Sequence, residues 1–172
     1  MNTSHSTSTY KAPHPLRSVF VLAGFLLVCF AVAAIGALAT VPAIPTWYAG
    51  IQKPSFNPPN WIFGPVWSVL YATMAVAAWL VWRATSVATP QRRNALAAFF
   101  VQLALNGAWT PIFFHFHQLG WSLAVIAALW LAILVTLLLF WKIRRLAGIL
   151  LIPYIVWVSF ATALNAAIWH LN

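Results

Sequence analysis

WYAGIQKPSFNPPNWIFGPVWSVLYATMAVAAWLVW, residues Trp47 to Trp82, passes from a proline-rich loop into an uncharged apolar segment without losing its density of aromatic rings. Trp47-Tyr48, Lys53-Pro54, Pro58-Pro59 and Trp61 form a stiff aromatic loop, because each proline holds φ and removes a backbone donor. Trp67, Leu70, Tyr71 and Met74 follow at steps of three and four, which places them on one face of a helix starting near Gly64. Loop and helix face therefore present aromatic rings to one place. An interfacial belt with ordinary packing uses the same residue types, so ring density by itself assigns no ligand.

Outward from this stretch, the composition names the solvent. Of 172 residues 63% are hydrophobic and 5% charged, against roughly 25% charged in an average soluble domain, so the medium is a bilayer. There is no Asp or Glu, and the nine Lys and Arg give a net charge of +9. In a soluble chain that balance would suggest nucleic acid. Here the charges cluster at the ends of apolar runs, the pattern of helix flanks at a membrane, and no nucleic-acid partner is expected. Cys29 stands alone inside an apolar run, so it builds neither a disulfide framework nor a thiolate metal site.

The expected fold class is an all-α membrane protein, a bundle of five transmembrane helices. Residues 1–16, rich in Ser, Thr, His and Pro, are expected to be a flexible tail carrying solvated His5 and His14, with residues 17–172 a single membrane domain. Helix 1 is predicted over about 18–40. Its uncharged run is long enough to cross a hydrocarbon core of roughly 30 Å, and too long for a signal peptide despite Ala37-Leu38-Ala39. Helices 2 to 5 are predicted over about 64–83, 94–114, 121–141 and 146–169, the last with a kink at Pro153. Gln102, Asn106, Trp109 and Phe113 share one face of helix 3. Amides are unfavourable in lipid, so that face looks into the bundle. Trp157, Ala161 and Asn165 share a face of helix 5, and Trp121 and Trp141 mark the two ends of helix 4.

Threaded through five spans, eight of the nine basic residues fall on one side and Lys53 alone on the other. The positive-inside rule then predicts a cytoplasmic N-terminus, with the aromatic loop on the opposite face; a bacterial inner membrane is the expected location.

Proton pumping and hydrolysis normally need carboxylates or an oriented acid/base pair, and no carboxylate side chain is present. His115 and His117 lie two apart in a tight loop without further ligands, so no metal site is expected. Gln102 and Asn106 either hydrogen-bond a ligand or tie helix 3 to its neighbours. What remains is a weakly polar aromatic cavity suited to a large flat apolar ligand, without side-chain charges that would repel an anionic one.

The motifs WYAGIQKPSFNPPNWIFGPVW with LYATM, QLALNGAWTPIFF and LLIPYIVWVSFATALN resemble the TspO/MBR family, also called translocator protein or peripheral-type benzodiazepine receptor. The resemblance covers nearly all of the chain from helix 1 onward. It implies a five-helix bundle, commonly a homodimer, that binds porphyrins such as protoporphyrin IX and haem, sterols, and isoquinoline or benzodiazepine drugs. Porphyrin or haem is then a ligand, and no cofactor is required. Matched residue by residue, the family's pocket falls on Trp47, Tyr48, Pro54, Trp67, Tyr71, Asn106, Trp109, Trp121, Trp157, Ala161 and Asn165. Lys53 or a backbone group near the loop would meet the propionates. Phe56 stands where many members have Trp, and LNAAIWH lacks the Tyr and the basic residue of the sterol-recognition pattern. Some members are reported to degrade porphyrin in light, which makes Trp67 and Trp157 the candidate redox residues of an alternative enzyme function. Ala-x-x-x-Ala spacing at Ala104 and Ala108, and at Ala124, Ala128 and Ala132, suits close helix approach within one bundle or between two copies.

Overall fold

The computed structural model of the protein describes residues 15–172; most of the expected tail, with His5, Lys11 and His14, lies outside the described residues. Among the described residues, five helical spans are long and apolar enough to cross a membrane, the second and the fifth each joining two helical pieces. They are α1 (Pro15–Ala43), α2 (Phe63–Trp82, entered through the 3-10 turn Asn60–Ile62), α3 (Thr89–Phe114), α4 (Leu119–Ile143) and α5 (Ile152–Leu171). Pro15 and Leu16, expected in the tail, already belong to α1. The start of α3 lies ahead of its expected position, with Pro90 in the first turn, where a missing N–H is harmless.

The kink expected at Pro153 is replaced by a break just before it. Arg144 is extended (φ −153°, ψ 113°) and ends α4; a short helical segment, Arg145–Ile149, follows, and Pro153 then sits in the first turn of α5. A proline there deletes a donor that has no intrahelical partner, whereas mid-helix it would break a hydrogen bond. Gly148 makes the reversal possible. A Cβ at that position would stand 2.7 Å from Trp141 Cε3 and 3.0 Å from Trp141 Cα, so the returning chain passes the end of α4 with backbone alone.

The helices form a ring in the order α2, α1, α3, α4, α5, with close backbone approach between each consecutive pair. The ring closes differently. At the basic end α2 packs against the Arg145–Ile149 segment, but toward the other end α2 and α5 diverge and only side chains bridge them: Phe63 to Trp157 (ring centroids 5.9 Å) and Trp67 to Tyr154 (6.3 Å). The most deeply buried of the spans is α2, because Ala75, Ala77 and Ala78 let its neighbours approach while Met74 and Val81 fill the gaps. Trp79 Nε1 donates to the Ser18 carbonyl at 2.8 Å, tying α1 to α2, and Phe25 meets Phe99 edge-on at 5.9 Å, tying α1 to α3.

The basic residues gather as the charge pattern predicts. Arg17 lies over the Trp82 ring at 5.7 Å and Arg83 over Trp79 at 4.7 Å, a ring face replacing the carboxylate partner this composition lacks. Arg92, Arg93, Lys142, Arg144 and Arg145 flank the same end of the bundle, and Lys53 stands at the other.

Gly148→Ala is expected to lower stability by about 1–3 kcal/mol through overpacking against Trp141. Gly24→Ala, on an exposed face with nothing within 4 Å of the added Cβ, should be neutral or slightly stabilising. Thermal unfolding of the two variants in detergent micelles, followed by helical circular dichroism, separates these outcomes.

Candidate functional site

Where α2 and α5 diverge, at the end carrying the Trp47–Trp61 loop, the ring encloses a cavity of about 580 Å³. Four helices and the loop supply its walls. Trp67 and Tyr71 come from α2, Trp109 and Phe113 from α3, and Trp157, Ala161 and Asn165 from α5; Tyr48 and Trp61 come from the loop side. The lining contains no Lys, Arg or His. Its size falls within the roughly 300–1,000 Å³ usual for small-molecule sites.

Two hydrogen-bond networks hold these walls. In the first, the Tyr71 hydroxyl donates to Asn106 Oδ1, Asn106 Nδ2 donates to Tyr154 Oη at 2.8 Å, and the Tyr154 hydroxyl donates to Gln102 Oε1 at 2.9 Å. It joins α2, α3 and α5. Every link runs donor to acceptor in one direction, from the Tyr71 hydroxyl to the Gln102 carbonyl oxygen. In the second, Trp109 Nε1 donates to Asn165 Oδ1 at 3.1 Å, Asn165 Nδ2 donates to the Leu119 carbonyl at 3.1 Å, and Ser122 Oγ lies 3.0 Å from Asn165 Oδ1. It joins α3, α4 and α5. Away from water, each of these polar groups needs such a partner to be tolerated.

The loop is held in the same way. Tyr48, buried, donates its hydroxyl to Asn57 Oδ1 at 2.7 Å, Lys53 Nζ donates to the Ile51 carbonyl at 2.9 Å and lies 5.0 Å over the Tyr48 ring. Asn172 closes it from α5: its Oδ1 accepts from Gln52 N–H at 2.9 Å and its Nδ2 donates to the Gln52 carbonyl at 3.0 Å. Burial pushes the Tyr48 hydroxyl above the ordinary tyrosine range, and the bond to Asn57 offsets part of that rise. A raised folded-state value means that the neutral hydroxyl's contribution is fully present below about pH 10 and is lost as pH climbs through the raised value. The clamp is therefore indifferent to pH across the neutral range.

Of the residues expected to form the pocket, Tyr48, Trp67, Tyr71, Trp109, Trp157, Ala161 and Asn165 line the cavity. The other four do not. Asn106 is buried behind Tyr71, where it orients the phenol. Trp47 stacks on His117 (4.3 Å, 17°) and meets Phe113 edge-on, supporting the loop from outside. Pro54 accepts Asn57 N–H at its carbonyl, 3.0 Å away, and shapes the loop turn. Trp121, 71% exposed, marks an end of α4. Lys53 also stays outside the lining, drawn onto Tyr48. Conversely, α1 supplies a whole wall through Phe30, Ala33, Gly36, Ala37 and Thr40 that no helical periodicity announced. The available signal was the run Ala33, Ala34, Gly36, Ala37, small side chains in an otherwise bulky helix, which leave room beside the rings of α2.

This arrangement of loop, aromatic walls and buried asparagines can be set beside known proteins. A model of the TspO/MBR family matches residues 25–170. The chain belongs to the TspO/MBR family. The match spans every wall of the cavity, from Phe30 of α1 to Asn165 of α5. Among relatives, protein CrtK of Rhodobacter capsulatus is 38% identical over 157 residues, 90% of this chain and 94% of that protein. The human translocator protein is 42% identical over 126 residues, 73% of this chain and 75% of that protein. The tryptophan-rich sensory protein of Cereibacter sphaeroides is 37% identical over 148 residues, 86% of this chain and 89% of that protein. Family and apolar spans together make this an integral membrane protein.

Asn165→Ala removes the acceptor of Trp109 and the donor to Leu119 at once, and is expected to destabilise the bundle by about 1–2 kcal/mol, since single interhelical bonds in membranes contribute up to about 1.7. Unfolding in mixed micelles measures the loss. Ser159→Ala removes two exposed bonds, the link from Trp130 and a back-bond to the Ile155 carbonyl within its own helix, and should leave stability nearly unchanged, by less than about 0.5 kcal/mol.

Proposed function

We propose that the protein is a membrane receptor for a large, flat, apolar ligand of the tetrapyrrole class, bound in the cavity beneath the Trp47–Trp61 loop. The observation that carries this is the wall chemistry: rings of Trp67, Tyr71, Trp109, Phe113 and Trp157 surround about 580 Å³ with no cationic side chain and no carboxylate. Aromatic faces stack on a macrocycle with little sequence of polar contacts required, and a ligand carrying two carboxylates meets no acidic repulsion anywhere in the chain. Protoporphyrin IX fits that description. Its apolar edge is directed into the bundle and its propionates toward the loop end, where Asn60 lines the cavity and Lys53 can exchange its Ile51 carbonyl contact for a carboxylate. The hydrogen-bonded Tyr71 hydroxyl offers its oxygen as an acceptor at the cavity wall. Of the relatives' names, tryptophan-rich sensory protein agrees with a sensor, and translocator protein with a receptor that also takes part in moving its ligand.

Orientation follows from charge. With the basic ends of α1, α2, α3 and α4 on one side, the N-terminus is cytoplasmic and the ligand loop lies on the far face of a bacterial inner membrane. Homodimerisation is the accompanying proposal. Ala104 and Ala108 of α3 and Ala124 and Ala128 of α4 are all exposed, offering small-residue surfaces on which a second copy could approach closely.

Titration of the purified protein with protoporphyrin IX should quench tryptophan fluorescence saturably, and Trp157→Ala and Tyr71→Ala should each weaken binding about tenfold, equivalent to about 1.4 kcal/mol of lost ring contact. Unchanged affinity in both variants removes the cavity as the site. For orientation, Ser55→Cys in a Cys29→Ala background should react with a membrane-impermeant maleimide in intact spheroplasts, and Ser86→Cys should not; the reverse pattern inverts the topology.

A further inference from the structure

Trp157 has two surfaces. One lines the central cavity; the other lines a separate apolar groove of about 470 Å³ on the outside of the ring, between α2 and α5. Pro65, Val66, Val69 and Leu70 of α2 and Pro153, Val156 and Phe160 of α5 supply the rest of that groove, and apart from the Trp157 indole N–H its lining side chains carry only carbon. The groove exists because α2 and α5 diverge and are bridged by side chains alone. Along α5 its lining spans Pro153 to Phe160, roughly 10 Å at 1.5 Å per residue. That is about a third of a hydrocarbon core of roughly 30 Å; the lining, at 65–70 and 153–160, falls inside the apolar spans Asn60–Trp82 and Arg145–Leu171 rather than at their ends.

Trp157 is also held differently from three other indoles that lie between helices. Trp79 donates to Ser18, Trp109 to Asn165 and Trp130 to Ser159, whereas Trp157 Nε1 is buried without a partner. No hydrogen bond sets its rotamer. Its position depends on packing against Phe63, on the loop side, and Phe160, and on whatever fills the groove behind it.

We infer that the α2–α5 groove is a binding site for one acyl chain of a bilayer phospholipid, which supports the Trp157 wall of the cavity from the membrane side. Three observations select that occupant. The groove lies at hydrocarbon depth in a membrane-spanning bundle, so lipid chains are its immediate solvent. With its side-chain hydroxyls, amides and charges absent, it suits a saturated or unsaturated hydrocarbon and gives a polar headgroup nothing to bind. Its rim is Val, Pro, Phe, Leu and Trp, without the Gly, Ala or Ser that lets a second helix approach closely; the exposed alanines that do so are on α3 and α4, on another side of the ring. A flexible chain conforms to such an uneven rim where a helix cannot. Occupancy removes apolar wall from loosely packed contact and restores the dispersion contacts that a gap forfeits. Trp157 then stands one ring thickness from both occupants, so filling the groove stiffens the cavity wall whatever the cavity ligand is.

The test uses the full-length protein in palmitoyl-oleoyl phosphatidylcholine vesicles containing a trace of phosphatidylcholine with a diazirine midway along one acyl chain. After photolysis, peptide mass spectrometry should find adducts concentrated on the Pro65–Leu70 and Pro153–Phe160 segments, above those on Leu131, Val135 and Leu138, which are also exposed apolar positions, on α4. Val69→Phe combined with Val156→Phe, both at exposed positions, fills the groove without disturbing the core. It should abolish the groove adducts and leave the α4 adducts in place. Adducts spread evenly over α2, α4 and α5, or groove adducts that survive the double substitution, would overturn the assignment. A photoreactive diazirine side chain placed at Val69 that cross-linked to a second copy of the chain instead of to lipid would also overturn it, replacing the lipid by a protein interface. None of these readouts depends on a porphyrin being bound.

Discussion

Asn106 and Asn165 hold this bundle in shape, and the rest of the structure depends on how a bilayer treats them. A carboxamide in hydrocarbon must find partners within the protein, and each asparagine does so by reaching helices on both sides: Asn106 to Tyr71 of α2 and Tyr154 of α5, Asn165 to Trp109 of α3 and Leu119 of α4. Apolar packing between helices in lipid is weakly specific, because the acyl chains are as apolar as leucine. The amides supply the missing specificity.

The same networks explain why a cavity survives. Asn106 pins the middle of the bundle and Asn165 pins α3, α4 and α5 toward the loop end, but neither draws α2 and α5 together there. Their gap is filled by large rings instead, Phe63 and Trp67 against Trp157 and Tyr154. Rings bridge a wide gap without closing it. The small residues of α1 widen the space on the other side, and the loop, clamped by Tyr48 to Asn57 and by Asn172 to Gln52, covers the end. Polar atoms thus hold the structure, leaving ring faces and a phenolic oxygen on the cavity wall.

Electrostatics divides the molecule into two functional ends. Arginines collect where helices turn back, stacked on Trp79 and Trp82 in place of absent carboxylates. At the other end Lys53 is the lone fixed cation among the described residues, held over Tyr48 rather than inside the cavity. The proposed ligand, an apolar macrocycle with anionic edges, would suit that polarity, its ring system matched by the interior and its charges by the loop side, without a buried ion pair and the desolvation penalty that one brings.

How much of this was legible beforehand depends on which interactions are local. Five spans, their charge asymmetry, the inward faces of α3 and α5 and the family motifs are written in runs and periodicities, because a bilayer imposes hydropathy and length on each helix separately. Tyr71, Trp109, Trp157 and Asn165 followed from those periodicities together with the family resemblance, and the cavity contains them. Other features come from contacts between segments distant in sequence. That α1 forms a wall, that Asn106 orients Tyr71 from behind instead of facing the cavity, and that Trp47 braces His117 all depend on the order of helices around the ring. The break before Pro153 depends on Gly148 passing Trp141, and the groove behind Trp157 depends on where α2 and α5 diverge. The sequence determined which residues had to leave the lipid; only the tertiary structure decided which of them met each other and which met empty space, because helix order and crossing are set by the sum of many interhelical contacts and not by any one segment.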